Sequence, residues 1–342
     1  MSDARVTPAP IFGRRSFLGG AVALLALGAR ARAQQRYRIA FANLTMDPGA
    51  RLEGLGFTGT DVQASFTLAA RALPVDMVFY DNDRDREKTL ANAEDAIARK
   101  LDLYIQYCDD AGANAEVGKR MKAAGIPVLA VIHPVPGAPL YGPDNALAGR
   151  IAGEALARFA NATWHDRAAA VAIVGDLGDA ANQVPERVDA IAAALKEQLP
   201  AAAQTRLDSA GNPAQVEALL RRLAAAQPDS KLLIAALDDR TALMAKSTVE
   251  AAGRVPDSAI VSQGCDRSVH GGSNDKKEID PSNRGSILIG SVAYLLDRYG
   301  YELLPLALKM LRGEAVAPRV STRHVLVTAA NVFTIYPPID MN

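Results

Sequence analysis

A strand–helix alternation that runs through the chain twice constrains its fold more than any other feature. Arg38–Ala42, Val75–Tyr80, Leu103–Tyr107 and Val128–Ile132 are short apolar runs that read as buried strands. Between them Gln63–Leu73, Asp85–Lys100 and Ala113–Ala124 carry apolar residues at helical spacing. In the second of these, Leu90, Ala93, Ile97 and Leu101 line one face and charged residues cover the other. The alternation then resumes. Ala169–Val174, Gln204–Asp208, Lys231–Ala236 and Ala259–Gln263 read as strands, with Val184–Leu199, Pro213–Ala226 and Arg240–Ala252 as helices. Asp81 corresponds to Asp208, Asp109-Asp110 to Asp238-Asp239, and Ala123–Pro127 to Ala251–Pro256, at a nearly constant offset of about 127 to 129 residues. A self-match at fixed period marks an internal repeat. Alternation with short connections implies right-handed βαβ units on a parallel sheet covered on both faces. The fold class is α/β, with two similar three-layer domains.

That architecture selects candidate residues. Open parallel sheets bind ligands beyond the carboxyl ends of their strands, where helix N-termini also point. The segments just after the strands are Asn43–Asp47, Cys108–Asp110, Ile132-His133, Gly175–Asn182, Asp238–Arg240 and Gly264–Asp266. An Asp at a helix start also serves as a cap, and Asp61 and Asp85 read as caps.

The first residues set the compartment. Gly13-Arg14-Arg15-Ser16-Phe17-Leu18 is a twin-arginine motif, followed by an uncharged apolar run to Gly28 and by Ala31-Arg32-Ala33. The run is shorter than the roughly 20 residues a bilayer span needs. Residues 1–33 therefore read as a cleavable export signal, with Gln34 the first mature residue and the periplasm the destination. A formal net charge of zero offers nothing to nucleic acid or an anionic membrane. Cys108 and Cys265 are the only cysteines, too few for a disulfide scaffold, and the four His show no zinc spacing. No metal or cofactor is expected. Gly175-Asp176-Leu177-Gly178 lacks the rest of a nucleotide-binding fingerprint. Asp275, Glu278, Asp280 and Asn283 miss the calcium-loop spacing. Trp164 reads as a packing residue.

Several motifs resemble ribose-type periplasmic sugar-binding proteins, of the type I periplasmic-binding-protein fold. They are Ala123-Ala124-Gly125-Ile126-Pro127-Val128, Gly142-Pro143-Asp144-Asn145 and Gly149-Arg150-Ile151-Ala152-Gly153, then Asp238–Leu243, Gly264-Cys265-Asp266 and Leu311–Glu314 followed by Pro318. The resemblance implies a Venus-flytrap protein with three interdomain crossings, here near Asp144, Tyr294 and Arg323. The N-terminal domain would comprise 37–143 plus 295–322, and the C-terminal domain 144–294 plus 323–342. It implies delivery of a sugar-like or polyol solute to an ABC transporter permease by a monomer, after passage through the twin-arginine export machinery. Family sugar-binding positions fall on Asp47, His133, Asp238, Asp266 and Tyr294. With the strand-end residues Asn43, Asp110 and Arg240, and with Arg187 as a substitute for a family arginine, these form the candidate ligand-binding set. The sequence also departs from the pattern. His133 stands where an Arg is common, Gly49-Ala50 replace stacking aromatics, and His270–Arg284 is a polar loop. Planar Arg forks and aromatic faces recognise a sugar's hydroxyl edge and apolar face. A small neutral or weakly basic polyhydroxylated ligand is therefore expected. A ligand-sensing subunit for a chemoreceptor or histidine kinase is the alternative on the same fold. An enzyme using Asp238 and Asp266 lacks an accompanying nucleophile, metal set or cofactor motif.

Overall fold

The computed structural model describes residues 36–165, 169–178, 184–271, 278–283 and 285–337. The export signal at 1–33, the latter part of Gly175–Asn182 and much of the His270–Arg284 loop lie outside the described residues. Six strands form a first sheet: β1 (Tyr37–Asn43), β2 (Val75–Asp81), β3 (Leu103–Gln106), β4 (Val128–Val131), β5 (Leu140–Gly142) and β11 (Arg319–Ser321). Their order is β2-β1-β3-β4-β5-β11, parallel throughout. The second sheet contains β6 (Ala169–Gly175), β7 (Ala203–Asp208), β8 (Lys231–Ala236), β9 (Ser258–Gly264), β10 (Leu288–Ala293) and β12 (Val325–Val327). Its order, β7-β6-β8-β9-β10-β12, repeats the first, with β12 antiparallel to β10. Strands β3, β4 and β9 are buried at every position, as central strands of a sheet covered on both faces must be. Strands β5, β11 and β12 escape the periodicity reading because three residues are too few to show a period.

The helices are α1 (Gly59–Ala70), α2 (Arg86–Ala98), α3 (Ala111–Ala124), α4 (Asn145–Trp164), α5 (Val184–Gln198), α6 (Pro213–Ala226), α7 (Asp239–Ala251), α8 (Arg267–His270), α9 (Tyr299–Leu311) and α10 (Val332–Ile335). Helix α1 starts before the expected Gln63 because Thr58 builds a capping box. The Thr58 hydroxyl accepts from the Asp61 amide at 3.3 Å and the Asp61 carboxylate accepts from the Thr58 amide at 2.8 Å. Asp61 is thus the returning half of the box rather than the cap. Asp85 does cap α2, accepting from the Lys88 amide at 2.7 Å.

The repeat is visible in hydrogen bonds. Asp81 Oδ1 ties the amides of Met46 and Asp83 at 3.1 and 2.8 Å, and Asp208 Oδ1 ties those of Leu177 and Ala210 at the same distances. Asp110 caps α3 through the Ala113 amide at 2.8 Å, and Asp238 caps α7 through the Thr241 amide at 2.7 Å. Gly125 and Gly253 end those two helices with φ of +72° and +67°. These pairs align Asp110 with Asp238, so the pairing of Asp109-Asp110 with Asp238-Asp239 is out by one residue. The counterpart of Asp239 is Ala111.

The chain passes between the sheets three times: from β5 into α4, which packs on β8 and β9; from β10 into α9, which packs on α1; and from β11 to β12. Glycines set two of the helix pairings. A Cβ on Gly149 would lie 2.3 Å from the Arg187 carbonyl oxygen, and one on Gly300 2.4 Å from the Phe66 backbone. The first contact draws α5 against α4 and carries Arg187 to the start of α4. One contiguous apolar core runs from Phe41 and Ile105 of the first sheet through Leu55, Tyr294 and Leu296 to Val171 and Val261 of the second. Trp164 is buried edge-on to Phe159 as a packing residue, and both cysteines are buried free thiols. Among the described residues no helix is long and apolar enough to cross a membrane.

Candidate functional site

Two spaces lie where the sheets' carboxyl ends face each other. An outer vestibule of about 1010 Å³ runs between the segment after β1 and the start of α7, with Asp266, Arg267 and Ser268 on its wall. A smaller inner chamber of about 70 Å³ sits near the crossings, lined by Glu53, His133, Asn145, Arg187 and Tyr294 among others. Leu55 lines both, so it stands between them.

The wall that carries Leu55 is a tight turn. Leu52 and Phe57 pair as an isolated antiparallel bridge, and the Leu55 amide donates to the Leu52 carbonyl at 2.9 Å. Glu53 and Gly54 between them both have positive φ, +54° and +68°, as a type I′ turn requires. Gly56, at φ +83°, passes so close to Asp266 that an added Cβ would sit 1.6 Å from Oδ2. Only glycine allows that approach. Glu53 is therefore turned inward: its side chain is 6% exposed and its Oε1 accepts from the Tyr107 hydroxyl. His133 Nε2 lies 3.6 Å from the same oxygen, and its ring stacks beside Tyr107.

The facing wall is built by α4, α5 and the residue after β10. Arg187 is 3% exposed, donates from Nε and Nη2 to Asn145 Oδ1 at 3.0 and 2.8 Å, and donates from Nη1 to the Leu237 carbonyl at 3.0 Å. No described carboxylate lies within ion-pair distance of it. Its guanidinium lies 4.9 Å from the centre of the fully buried Tyr294 ring. The Tyr294 hydroxyl donates to Gln263 Oε1 at 3.0 Å and lies 3.2 Å from Asn145 Oδ1. Burial pushes that phenol up to about 12, so it is a neutral donor at physiological pH.

Carboxylates dominate the vestibule, and most are already engaged. Asp238 accepts from both the amide and the hydroxyl of Thr241 at 2.7 Å. Asp239 takes the hydroxyls of Ser262 and Ser291 on Oδ1, at 2.5 and 2.8 Å, and the Asp266 amide on Oδ2 at 2.7 Å. Burial, then the charge of Asp266, raises Asp239 well above the usual carboxylate range. Burial raises Asp238 and Asp266 as well, and it pushes Asp297 up to about 6. Arg267 reaches across to Asp61 of α1 at 3.7 Å.

Glu53 and Ile132, which line the inner chamber, have positive φ without being glycine, and so do Cys265 and Leu295, the chain neighbours of Asp266 and Tyr294. Each such conformation costs about 1 to 3 kcal/mol and persists where the surroundings enforce it, commonly at functional sites. A β-branched Ile at +60° is the least comfortable of them.

The structure brings His133, Arg187 and Tyr294 together at the inner chamber and places Asp238, Arg240 and Asp266 on the vestibule. Asn43, Asp47 and Asp110 line neither. Asn43 ties the start of α1 through the Gly59 carbonyl, and Asp47 closes an exposed turn onto the Gly49 amide. Asp110 caps α3 and pairs with Arg86 at 3.3 Å. Sequence reasoning missed Glu53 and Asn145 as site residues, and it placed Asp239 in a candidate segment without including it in the ligand-binding set. The Glu53-Gly54-Leu55-Gly56 run, with two glycines in a strand-to-helix connection, was the available signal for the first.

The sequence profile of a family described as periplasmic binding protein domain matches residues 57–314, well over half the chain. The chain belongs to the periplasmic binding protein family. Its fold is that of solved structures of such proteins. An ABC transporter solute-binding protein from Mycobacterium smegmatis, with bound glycerol, is 21% identical with a TM-score of 0.60, over 87% of this chain and 96% of that one. One from Actinobacillus succinogenes with bound D-allose gives 16% and 0.67, over 87% and 100%. A sugar-binding protein of a sugar ABC transporter from Bacillus halodurans gives 18% and 0.68, over 88% and 100%. No curated protein sequence matches the chain. In this periplasmic binding protein no group of three His, Cys, Asp or Glu able to hold a metal is present among the described residues.

Proposed function

We propose that this periplasmic binding protein carries a small polyhydroxylated solute, sugar-like or polyol, to the permease of an ABC importer, holding it in the chamber between its domains without turning it over. The observation that carries the reading is the chamber's two-sided polar lining. Glu53 and His133 come from one sheet's connections and Asn145, Arg187 and Tyr294 from the other's. Carboxylate, amide and guanidinium groups together satisfy hydroxyls, which both donate and accept. The solute-binding and sugar-binding relatives support the class. The moving bodies are 37–143 plus 295–322 and 144–294 plus 323–342, rotating about the segments near Asp144, Tyr294 and Arg323. His133, Arg187, Asp238, Arg240, Asp266 and Tyr294 form the ligand-facing set, and Asn43, Asp47 and Asp110 hold the loops behind it. Export runs through the twin-arginine machinery with cleavage after Ala33, and the protein acts as a monomer.

A thermal-shift screen of the chain from Gln34 against sugars and polyols tests this, because a ligand that binds only the native state raises Tm. A hit abolished by Arg187→Ala and accompanied by compaction in solution scattering supports the reading. A hit retained in both Arg187→Ala and His133→Ala, with unchanged radius of gyration, counts against it. Replacing Arg14 and Arg15 by Lys should hold the precursor in the cytoplasm, and normal periplasmic levels of that variant would refute the export route.

A further inference from the structure

We propose that His324 is a positioning residue that pins the hinge: its neutral imidazole joins all three interdomain crossings and sets how the two walls of the cleft face each other, and protonation of the ring frees them. This rests on the three crossings being the hinge of a solute-binding cleft and adds the group that sets it.

The crossings meet at one side chain. The first enters α4 past Asp144, the second leaves β10 after Ala293, and the third runs from β11 to β12 through Thr322 and His324. The Thr322 amide donates to the Gly142 carbonyl at 2.8 Å, which lays the third crossing beside the first. His324 Nε2 accepts from the Asp144 amide at 3.0 Å, and Nδ1 lies 3.0 Å from the Ala293 carbonyl oxygen. The Tyr294 ring meets the imidazole edge-on, 4.6 Å between centres, and His324 is buried. Asp144 and Ala293 directly precede Asn145 and Tyr294, which line the inner chamber and approach each other at 3.2 Å. Tying those two backbones to one ring keeps the chamber's side chains in register.

The partners fix the protonation state. An amide N–H only donates, so Nε2 must hold a lone pair; a carbonyl only accepts, so Nδ1 must carry the proton. Only the neutral imidazole satisfies both. A second proton on Nε2 would oppose the Asp144 N–H and leave two donors facing each other in a buried site. The titratable groups around the ring are Asp144 at the start of α4, Arg187 on α5, Tyr294 after β10, Tyr299 on α9 through Thr322, and Arg323 beside it in the chain. Burial, helped by the Arg187 charge, holds His324 below its ordinary range, while the Ala293 carbonyl and the Asp144 charge pull the other way. The ring is therefore neutral at pH 7 and takes its proton as pH falls through a value below about 6.5.

Solution scattering without added solute, on the chain from Gln34 between pH 8 and pH 4.5, tests the pin with His324→Gln and His324→Ala. Circular dichroism on each confirms folding. Glutamine keeps an acceptor for Asp144 and a donor for Ala293 and cannot take a charge; alanine removes both. At pH 8 the parent and His324→Gln should share one radius of gyration, with His324→Ala larger. Below pH 6.5 the parent should expand toward the alanine variant and leave His324→Gln behind. The cleft acids titrate in both proteins, so the gap between these two profiles belongs to His324. Equal radii for the parent and folded His324→Ala at pH 8, or a parent that tracks His324→Gln down to pH 4.5, would overturn the pin. If the alanine variant does not fold, the second comparison decides. Calorimetry at pH 8 with glycerol, D-allose and myo-inositol separates the pin from the polyol assignment. A probe that binds should lose about tenfold in affinity in His324→Ala, the worth of one to two neutral hydrogen bonds, and recover in His324→Gln. Full affinity in folded His324→Ala overturns the pin and leaves the polyol assignment standing. The expected scattering with none of the probes bound leaves the pin standing and removes the polyol assignment.

Discussion

Asp110 and Asp238 do the same job in the two halves of this molecule and do it in opposite surroundings. Each closes a strand-to-helix turn and caps the helix that follows. Asp110 is half-exposed beside Arg86, and its amide hydrogen bonds hold it below the usual carboxylate range against a small burial cost. Asp238 faces the cleft, and burial raises it despite the same capping bonds. The position after Asp238 carries the buried Asp239, where the first half has Ala111. The backbone devices of the fold recur in both halves. The second half carries buried carboxylates where its strand ends look into the cleft, and the Leu52–Phe57 turn of the first half lies against one of them, Asp266.

The largest expected effect tests whether the pairing of α4 and α5 is as tight as the glycines imply. Gly149→Leu places side-chain atoms where the Arg187 carbonyl and Ala190 already sit, 2.3 and 2.9 Å from the added Cβ. It should cost about 3 kcal/mol or more, at the upper end of overpacking effects. Chemical denaturation measures it. A loss below about 1 kcal/mol would show that the helices part easily and that Arg187 is not held by them.

Next comes the chamber. Arg187→Ala removes a guanidinium that packs on Tyr294 and is bound only to neutral acceptors. It should weaken the cognate solute by about 1.5 to 3 kcal/mol, the range for hydrogen bonds to charged groups. Calorimetry on the variant checks this. The matching change in the other half, Asp110→Ala, should leave affinity unaltered, and a shared loss would erase the difference between cleft and framework residues.

How much of this was legible beforehand follows from the same contrast. Four strands of each half, their helices and the offset between Asp81 and Asp208 are local patterns, and periodicity exposes them, whereas β10 (Leu288–Ala293) went unread. The caps are legible as residue types in position, which is why Asp85 could be placed, but Asp110 and Asp238 could not be told apart and Asp110 reads as a ligand-binding residue. What separates them is their surroundings, the vestibule wall for Asp238 and Arg86 for Asp110, which depend on chain segments elsewhere in the fold. Glu53 shows the same limit. Its turn reads as a polar connection, and its inward direction depends on Tyr107 and His133, which no local pattern links to it.

A smaller effect asks whether the halves are equivalent where the repeat says they are. Gly125 and Gly253 end α3 and α7 at nearly the same positive φ, and neither has an atom within 4 Å of an added Cβ. Alanine at either site should therefore cost only the backbone term, about 1 to 2 kcal/mol. The two losses should agree within about 0.5 kcal/mol, in the manner of independent sites. A clear disagreement in urea denaturation would mean that one helix end carries tertiary strain its counterpart lacks.

The smallest effect has the sharpest sign. Asparagine caps a helix about as well as aspartate, so Asp110→Asn and Asp238→Asn remove the charge and keep the cap. Asp110 is lowered in the folded state, so its charge contributes stability above its unfolded value, lost as pH falls through the folded value. Its substitution should cost about 0.5 kcal/mol at pH 7, discounted for exposure and screening, and progressively less as pH falls through the folded value. Asp238 is raised, so the native state holds a proton that the unfolded chain releases first. Its contribution is present below the unfolded value of about 4 and falls away as pH rises through the folded value. Asp238→Asn should therefore be neutral near pH 3 and stabilising by about 0.5 to 1 kcal/mol at pH 7. Stability curves between pH 3 and 8 would show the variants departing from the parent in opposite directions. Departure in the same direction would mean that the cleft side of the second half is wetter than the burial of Asp238 implies, and that the two capping aspartates differ in position alone.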